Sequence, residues 1–315
     1  MDTRRLDAFI KVVDLGSVTR AAKVLSVAQP ALSQQIIALE AEFERPLLVR
    51  STRGVTPTEA GRVLYRYAQS IRRQLEEARR GILETGGALT GNVTVGLAPL
   101  SSASLLASPL LTGVHAAHPG IVLHIFDSFG ITLSELMLNG RMDMAVLYGA
   151  DPVQGLDYRR LGDDAFHLVG LPALWPTRER ADVTPDELAV TPLVLPSRDS
   201  FLRQAVERTC AEAGARPRVV AEVQSRATLS AAVAAGLGAT VLPPAIAEAL
   251  PDGAAFVRRR IASPSARLQL SLGISDHAAL SDAAFAVYAI LKRLACGMIG
   301  AEAPRASSDL EAAAE

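Results

Sequence analysis

Small polar side chains that can pair with nucleic-acid bases lie on one face of a helix predicted within Ser17–Phe43. That face carries Pro30, Ser33, Gln34 and Ile37, and Gln29 lies at the exposed start of the helix. A glutamine side chain can pair with adenine through two hydrogen bonds, and a serine hydroxyl can donate to or accept from several base edges. Because a fold needs only the opposite, apolar face of such a helix, the polar face is available for contact with base pairs.

Hydrophobic spacing predicts the elements that position this face. The apolar stripe of the helix consists of Leu32, Ile36, Leu39 and Phe43. Pro30 fits the first turn of the helix, where its missing N–H costs nothing. A shorter helix before it begins after Ser17, a favourable N-cap residue, and a first helix ends at Gly16. The pattern alone leaves open a plain helical hairpin whose polar face is solvated.

Two short strands are predicted after these helices. They run from Leu47 to Arg50 and from Val55 to Pro57, and the turn between them contains Arg53. The strands form a wing with both arginines near its tip, where an arginine can reach phosphates or a narrow minor groove. An arginine on a protein surface is often only a solvated charge, so the wing by itself is weak evidence for a function.

A family resemblance rests on two neighbouring runs, AAKVLSVAQPALSQQIIALE and LLVRSTRGVTPTEAG. They resemble the winged helix-turn-helix of LysR-type transcriptional regulators. Within that family the chain is most similar to the nitrogen assimilation control branch, through the stretches AQPALSQQI, RGVTPTEAG, DMAVLY and ATLSAAVAAGLGATVLP. The resemblance implies binding to double-stranded DNA at an interrupted palindrome with a T and an A at its outer positions. The DNA-binding residues it implies are Gln29, Pro30, Ser33, Gln34, Arg50 and Arg53.

Charge is divided unevenly along the chain. Residues 1–80 carry 14 Lys and Arg against 9 Asp and Glu, whereas residues 81–315 carry 18 against 24. A basic end on an acidic body suits a head that binds a polyanion and a separate sensing body. Neither a signal peptide pattern nor a membrane-spanning apolar run is evident, so we expect a cytoplasmic protein. Cys210 and Cys296 are far apart and form no metal-binding pattern, so no cofactor is expected.

A long helix with a narrow apolar seam is predicted after Thr58, which is its expected N-cap. The seam residues expected at an interface are Leu64, Ala68, Ile71, Leu75 and Ala78. They alternate steps of four and three, which is a heptad pattern typical of helices that pair. The resemblance implies that the seam joins two copies of the chain, as a dimer or a homotetramer. The alternative is that the seam packs against the chain's own body.

From residue 92 onward, predicted strands and helices alternate, which indicates a doubly wound, mostly parallel α/β sheet. The resemblance implies a two-lobed effector domain of the periplasmic-binding-protein type (type 2). The expected divisions are a winged helix-turn-helix at 1–58, a linker helix at 59–88, an effector domain at 89–300 and a disordered tail at 301–315. Within the effector domain, lobe I covers about 91–162 and 268–300, and lobe II about 163–267. A hinge is expected at Thr85–Gly91.

Small hydroxyl side chains are expected at the carboxyl ends of the strands, where open sheets bind ligands. The residues expected to line an effector cleft are Ser101, Ser102, Ser128, Gly130, Ile131, Ser197, Asp199, Gln224, Ser225 and Thr228. Hydroxyls and helix N-terminal amides that converge there suit a small anion such as a carboxylate. Taken singly, each serine is better explained as a helix N-cap. Regulators of the branch that the chain resembles can also act without an inducer, which would leave the cleft unused.

Three classes of protein remain to be compared. The histidines form no ligand cluster, and no nucleophile elbow or phosphate-binding loop is present, so we do not expect an enzyme. A solute-binding receptor built on residues 92–300 would have no use for the N-terminal helices. We therefore predict a DNA-binding transcriptional regulator, with RNA polymerase as a further candidate partner. Its role is either in nitrogen assimilation or, alternatively, in control of a catabolic operon in response to a small carboxylate or amino acid.

Overall fold

The N-terminal domain consists of helices and a small β-hairpin. The computed structural model describes residues 2–52, 54–83, 89–149, 153–174, 182–251, 253–276 and 279–299. The first elements are α1 (Thr3–Leu15), α2 (Val18–Val24), α3 (Gln29–Glu42), β1 (Leu48–Ser51), β2 (Gly54–Pro57) and α4 (Glu59–Leu83). No described helix combines the length and the hydropathy needed to cross a bilayer. The predicted tail at 301–315 and most of the predicted hinge lie outside the described residues.

The predicted caps and turns separate the first three helices. Gly16 ends α1 in a left-handed conformation at φ 59°, and the Ser17 hydroxyl begins α2 by accepting the Arg20 N–H at 3.3 Å. Leu32 and Ile36 of α3 are fully buried against α1 and α2. The predicted stripe is wrong at Phe43, which is 41% exposed because α3 ends at Glu42 and Phe43 forms its C-cap.

The hairpin of β1 and β2 is fastened to the turn between α1 and α2. Its register pairs Arg50 with Val55, and the Val55 N–H donates to the Gly16 carbonyl oxygen at 2.9 Å. Gly54 has φ 125°, and a Cβ atom there would lie 2.7 Å from that same carbonyl oxygen. Only glycine fits this position without strain, so the sequence at the turn keeps the wing close to the helices.

The linker helix α4 begins as predicted, but its seam divides into two parts. The Thr58 hydroxyl accepts the Gly61 N–H at 3.0 Å and so caps the helix. Leu64 and Ala68 are 8% and 0% exposed because they pack into the core of the N-terminal domain. The prediction that these two residues face a second copy needs this correction. Further along the helix, Leu75 is 38% exposed.

The remainder of the chain forms a two-lobed α/β domain. The first lobe's early elements are β3 (Thr90–Leu97), α5 (Ala107–Ala117), β4 (Gly120–Asp127), α6 (Gly130–Leu138), β5 (Met144–Tyr148) and β6 (Leu156–Ala165). The second lobe contains β7 (His167–Gly170), β8 (Asp182–Val183), α7 (Pro185–Val190), β9 (Leu193–Leu195), α8 (Phe201–Glu212), β10 (Val219–Glu222), α9 (Arg226–Ala234), β11 (Thr240–Leu242), α10 (Pro244–Glu248) and β12 (Val257–Ile261). The chain returns to the first lobe with β13 (Arg267–Ser275) and α11 (Asp282–Ile299).

The sheets are mixed rather than mostly parallel, which corrects the prediction. In the first lobe the strand order is β4-β3-β5-β13-β6. Strand β3 runs parallel to β4 and β5, whereas β13 runs antiparallel to β5 and β6. In the second lobe β7 runs antiparallel to β11 and β12. The antiparallel pairs arise because β6 and β13 carry the chain out of the first lobe and back. This crossing brings the two lobes together over a cleft.

Candidate nucleic-acid interface and effector cleft

The outer face of α3 is open to solvent. Gln29, Pro30 and Gln34 are exposed and Ser33 is half-buried, whereas Leu32 and Ile36 beneath them are fully buried. Ile37 continues the outer stripe one turn beyond Ser33 and is 57% exposed. The structure therefore exposes the predicted face, including Ile37, on a helix whose opposite face is buried.

Glu40 joins α3 to the wing, a role that was not predicted. Its Oε1 accepts the backbone N–H of Leu47 at 2.8 Å and that of Leu48 at 3.2 Å. A carboxylate that accepts two backbone N–H groups is a strong, charge-assisted link. From sequence alone, a glutamate on a helix is indistinguishable from a solvated one. The link holds the strands of the wing against α3.

The structure describes one of the two arginines predicted on the wing. Arg50 lies on β1 and is exposed, next to Val49, which is 51% exposed. Arg53 lies outside the described residues. Arg50 has the position from which a side chain beside α3 can reach a phosphate group.

A hydrogen-bonded chain braces α4 against α1. The Tyr65 hydroxyl donates to Asp14, the Gln69 Nε2 donates to the Tyr65 oxygen at 2.9 Å, and Arg72 donates to the Gln69 Oε1 at 3.0 Å. Burial and the bond to Asp14 raise the pKa of the Tyr65 hydroxyl. The hydroxyl therefore stays protonated at neutral pH and can serve as the donor in this chain.

A second contact joins α4 to the first lobe of the effector domain. The Asp143 carboxylate lies 2.8 Å from Arg73 and accepts the Thr94 N–H at 2.8 Å. Gly140 packs beside the helix, since a Cβ atom there would lie 3.6 Å from the Gln69 Cβ. Burial raises the pKa of the Asp143 carboxyl, while the Arg73 charge and the Thr94 bond oppose that rise. This contact connects the DNA-facing head with the domain that carries the cleft.

The cleft between the lobes has a volume of about 630 Å³. Its lining consists of Pro99, Leu100, Ser104, Ala107, Asp127, Ser128 and Phe129 from lobe I and Gln224, Ser225, Arg226 and Ala227 from lobe II. The structure thus brings together three of the predicted cleft residues, Ser128, Gln224 and Ser225. The volume falls within the range typical of small-molecule sites.

Ser101 and Ser102 do not line this cleft, contrary to prediction. The Ser101 hydroxyl is fully buried, donates to the Ala98 carbonyl oxygen at 2.7 Å and accepts the Ala103 N–H at 3.2 Å. Ser102 donates its N–H and its hydroxyl to Asp164, at 3.0 and 2.5 Å. Ser101 therefore stabilises its own turn, and Ser102 links that turn to the crossing strand β6.

The other predicted cleft residues also lie outside the lining. Gly130 is buried beneath the Phe201 ring, because a Cβ atom there would lie 2.5 Å from Phe201 Cε2. Ile131 is 49% exposed, Asp199 is exposed, and the Ser197 hydroxyl accepts the Gln224 side chain at 3.2 Å. The remaining residue, Thr228, donates its backbone N–H to the Ser225 hydroxyl, which caps α9. Three of the ten predicted residues therefore line this cleft, and the other seven do not.

Comparison with known families decides the identity. Residues 3–62 match the family described as "Bacterial regulatory helix-turn-helix protein, lysR family", and residues 86–295 match "LysR substrate binding domain". The chain belongs to the LysR family. It is a DNA-binding transcriptional regulator, and the exposed face of α3 belongs to its helix-turn-helix domain.

Similarity to individual regulators covers nearly the whole chain. The regulator is 42% identical to the nitrogen assimilation regulatory protein nac of Klebsiella aerogenes over 93% of this chain and 95% of that protein. Identity to the protein of the same name from Escherichia coli strain K12 is 41%, over 92% and 94%. ArgP from Mycobacterium tuberculosis has the same fold, with a TM-score of 0.74 at 24% identity, over 94% of this chain and 98% of that one. The LysR family regulator CbnR shares the fold with a TM-score of 0.60 at 21% identity, over 94% and 99%.

A buried tyrosine and aspartate join β5 to the crossing strand β6 in this LysR regulator. The Tyr148 hydroxyl donates to Asp164 at 2.6 Å, and its ring meets Phe166 edge-on at a centroid distance of 5.9 Å. Burial and the Asp164 charge raise the pKa of the Tyr148 hydroxyl well above its usual value. These residues were not predicted, since nothing local in the sequence connects β5 with β6.

The described residues contain no group of His, Cys, Asp and Glu arranged to hold a metal ion. Cys210 is buried, and burial raises the pKa of its thiol to about 11. A thiol of such high pKa contains little thiolate at neutral pH and reacts slowly with oxidants.

Proposed function

We propose that this regulator controls genes of nitrogen assimilation by binding interrupted palindromic sites in their promoters. The observation that carries the proposal is the 42% identity to the Klebsiella nac protein across both the head and the effector domain. Similarity only to relatives that share the family's fold would support a transcriptional regulator, but it would not indicate which genes the regulator controls. Because the protein acts on DNA, we place it in the cytoplasm, with RNA polymerase as a further partner.

The base-reading surface is proposed to be the outer face of α3. Gln34 and Ser33 are placed to contact base edges, with Gln29 and Pro30 at the exposed start of the helix. Arg50 is proposed to contact phosphates. The same role is proposed for Arg53 on the basis of the sequence pattern alone. Support comes from the buried underside of α3 and from Glu40, which hold this face in a defined orientation.

Self-association, as a dimer or a tetramer, is proposed through the outer part of the linker helix. With Leu64 and Ala68 committed to the domain core, the contact is proposed for Ile71, Leu75 and Ala78. A groove of about 300 Å³ runs beside Ile71 and Leu75, between α1 and α4. An apolar seam next to a groove suits the helix of a second copy.

The division of the chain at 58 and 88 is part of the same proposal. Support for it comes from α4, which begins at Glu59, and from the family matches, which end at 62 and begin again at 86. The division of the effector domain into lobes near 162 and 268 is supported by the crossing strands β6 and β13, which pair along their full length.

A second candidate function is regulation in response to a small molecule. The interlobe cleft of about 630 Å³ favours it, because this volume lies in the range of small-molecule sites. In the first candidate the abundance of the protein sets its occupancy on DNA. In the second, a ligand shifts the protein between states with different affinity for DNA.

A genome-wide binding map under nitrogen-rich and nitrogen-poor growth tests the nitrogen role. We expect bound sites to concentrate upstream of genes for nitrogen uptake and utilisation, and a Gln34→Ala variant expressed at the same level to lose them. Arg198→Gln, an exposed change on the effector domain, serves as the matched control. Sites spread over genes unrelated to nitrogen would contradict the nitrogen role while leaving DNA binding intact.

A further inference from the structure

Three of the six polar side chains that line the interlobe cleft are engaged within the chain itself. The Ser104 hydroxyl donates to the Ser101 carbonyl oxygen at 2.9 Å. The Ser225 hydroxyl accepts the Thr228 N–H at 3.4 Å, and the Gln224 amide donates to Ser197 at 3.2 Å. These hydroxyls and this amide hold turns and caps in place. They are therefore weak candidates for the groups that recognise a ligand.

Two groups of opposite charge remain on facing walls of the cleft. Asp127 stands at the end of β4 in lobe I, and Arg226 opens α9 in lobe II. Both side chains are exposed, and neither has an ion-pair partner within the described parts of the chain. The Ser128 hydroxyl next to Asp127 is likewise without a side-chain hydrogen bond among the described residues.

The rest of the lining is apolar. Pro99, Leu100 and Phe129 come from lobe I, and Ala227 comes from lobe II. Such a cleft accepts an aliphatic or mixed side chain of moderate size, but it supplies few polar groups beyond the two charges. A ligand that carries a positive and a negative group at once is complementary to both walls of the cleft.

We propose that the effector of this regulator is a zwitterionic α-amino acid bound across the cleft. Its ammonium group pairs with Asp127, and its carboxylate pairs with Arg226, with the Ser128 hydroxyl as a further hydrogen-bonding group. This assignment rests on the second candidate function, regulation by a small molecule. It narrows the small carboxylate or amino acid considered from the sequence to the amino acid, because a lone carboxylate would face Asp127 without compensation for its like charge.

Bridging of the lobes gives such a ligand a way to act. Because each charge belongs to a different lobe, the amino acid binds better when the lobes are close than when they are apart. A ligand shifts an equilibrium only by its difference in affinity for the two states, and this arrangement supplies that difference. An analogue that carries only one of the two charges would contact one lobe strongly and the other weakly.

The test uses the full-length protein and calorimetric titration with each of the twenty protein amino acids. The best binder is then compared with its deaminated acid and its decarboxylated amine. We expect the amino acid to bind at least tenfold more tightly than either analogue. Asp127→Asn should remove the preference over the deaminated acid, and Arg226→Gln should remove the preference over the amine. Arg198→Gln, an arginine of lobe II outside the cleft, should preserve both preferences.

Two results would overturn the inference. One is that none of the twenty amino acids binds to protein that still binds its DNA site. The other is that the deaminated acid binds as tightly as the amino acid. DNA binding is measured on the same preparation by fluorescence anisotropy, so failure of the effector assignment is distinguished from failure of the proposed regulation. Protein that binds amino acids but shows no promoter specificity would refute the regulatory proposal alone.

Discussion

The ion pair between the linker helix and lobe I is the most direct place to test how the head is coupled to the effector domain. Arg73 and Asp143 are 2.8 Å apart, and the Asp143 side chain is only 4% exposed, whereas Arg73 is 27% exposed. Arg73→Ala would leave a buried carboxylate that still accepts the backbone N–H of Thr94 but has lost its cationic partner. The variant should therefore weaken the packing of α4 against the lobe.

The expected size follows from burial. Removal of one partner from a buried ion pair costs about 3–5 kcal/mol. Because about a quarter of Arg73 is exposed and water can partly replace it, we expect a smaller loss, about 2–3 kcal/mol. Asp143→Asn removes the charge and keeps an oxygen that accepts the Thr94 N–H. Added to Arg73→Ala, it should recover more than half of the loss.

The recovery should depend on pH. Burial raises the pKa of Asp143 above its ordinary value of 3.8, so the folded state binds this proton more tightly than the unfolded state. That contribution to stability is fully present below 3.8 and is lost as pH rises through the folded pKa. Without Arg73 the folded pKa rises further. Asp143→Asn should therefore stabilise the Arg73→Ala protein strongly at about pH 7, where the carboxyl would be ionised, and hardly at all at about pH 4.

Urea unfolding of the four proteins in this double-mutant cycle measures the coupling, and hydrogen exchange of the peptides around Arg73 and Asp143 locates it. Gln74→Ala, an exposed side chain of the same helix outside the groove between α1 and α4, is the control and should change stability by less than about 0.5 kcal/mol. A coupling energy below that value, or a benefit of Asp143→Asn that is equal at both pH values, would refute the reasoning.

Four further predictions concern DNA recognition and assembly. Gln34→Ala should cost about 1–3 kcal/mol at a specific site and little on random DNA in fluorescence anisotropy; equal losses on both would exclude base reading. Ile37, exposed beside Ser33, should contact a thymine methyl group, so replacing one thymine of the site by deoxyuridine should cost the wild type about 0.8 kcal/mol and the Ile37→Ala protein nothing. An equal cost in both proteins would count against this contact. Glu40→Ala should destabilise the head by about 1–3 kcal/mol in thermal unfolding, because two N–H groups of the wing lose their acceptor; an unchanged melting temperature would show that the link is dispensable. Leu75→Asp should convert dimers to monomers in light scattering at micromolar concentration, since an unpaired carboxylate in an interface is strongly disfavoured; an unchanged mass would place the contact elsewhere.

Local sequence determined the head of this regulator. Gly16, Ser17 and Thr58 mark helix ends through their own backbone and side-chain chemistry, and the structure has helix boundaries at each of them. The spacing of Leu32 and Ile36 likewise sets which side of α3 is buried, because one face of a helix repeats every three to four residues. The same local periodicities indicated an α/β effector domain.

Tertiary structure alone decided which neighbour each apolar face packs against. Leu64 and Leu75 belong to one seam, yet only Leu64 is buried by the chain itself, because α1 lies beside one part of α4. Periodicity identifies an apolar face but not whether the neighbour is the same chain or another. The antiparallel strands β6 and β13 pair residues more than a hundred positions apart, which no local pattern encodes.

The effector site was decided in the same way. Ser101 and Ser128 are both serines at strand ends, and the sequence treats them alike. Only the path of the chain shows that the first is enclosed by its own turn while the second lines the cleft. Asp127 and Arg226 are ninety-nine residues apart in the sequence, and they line the same cleft because the two lobes meet there. A side chain's type limits its chemistry, but the distance to its partners is a property of the fold.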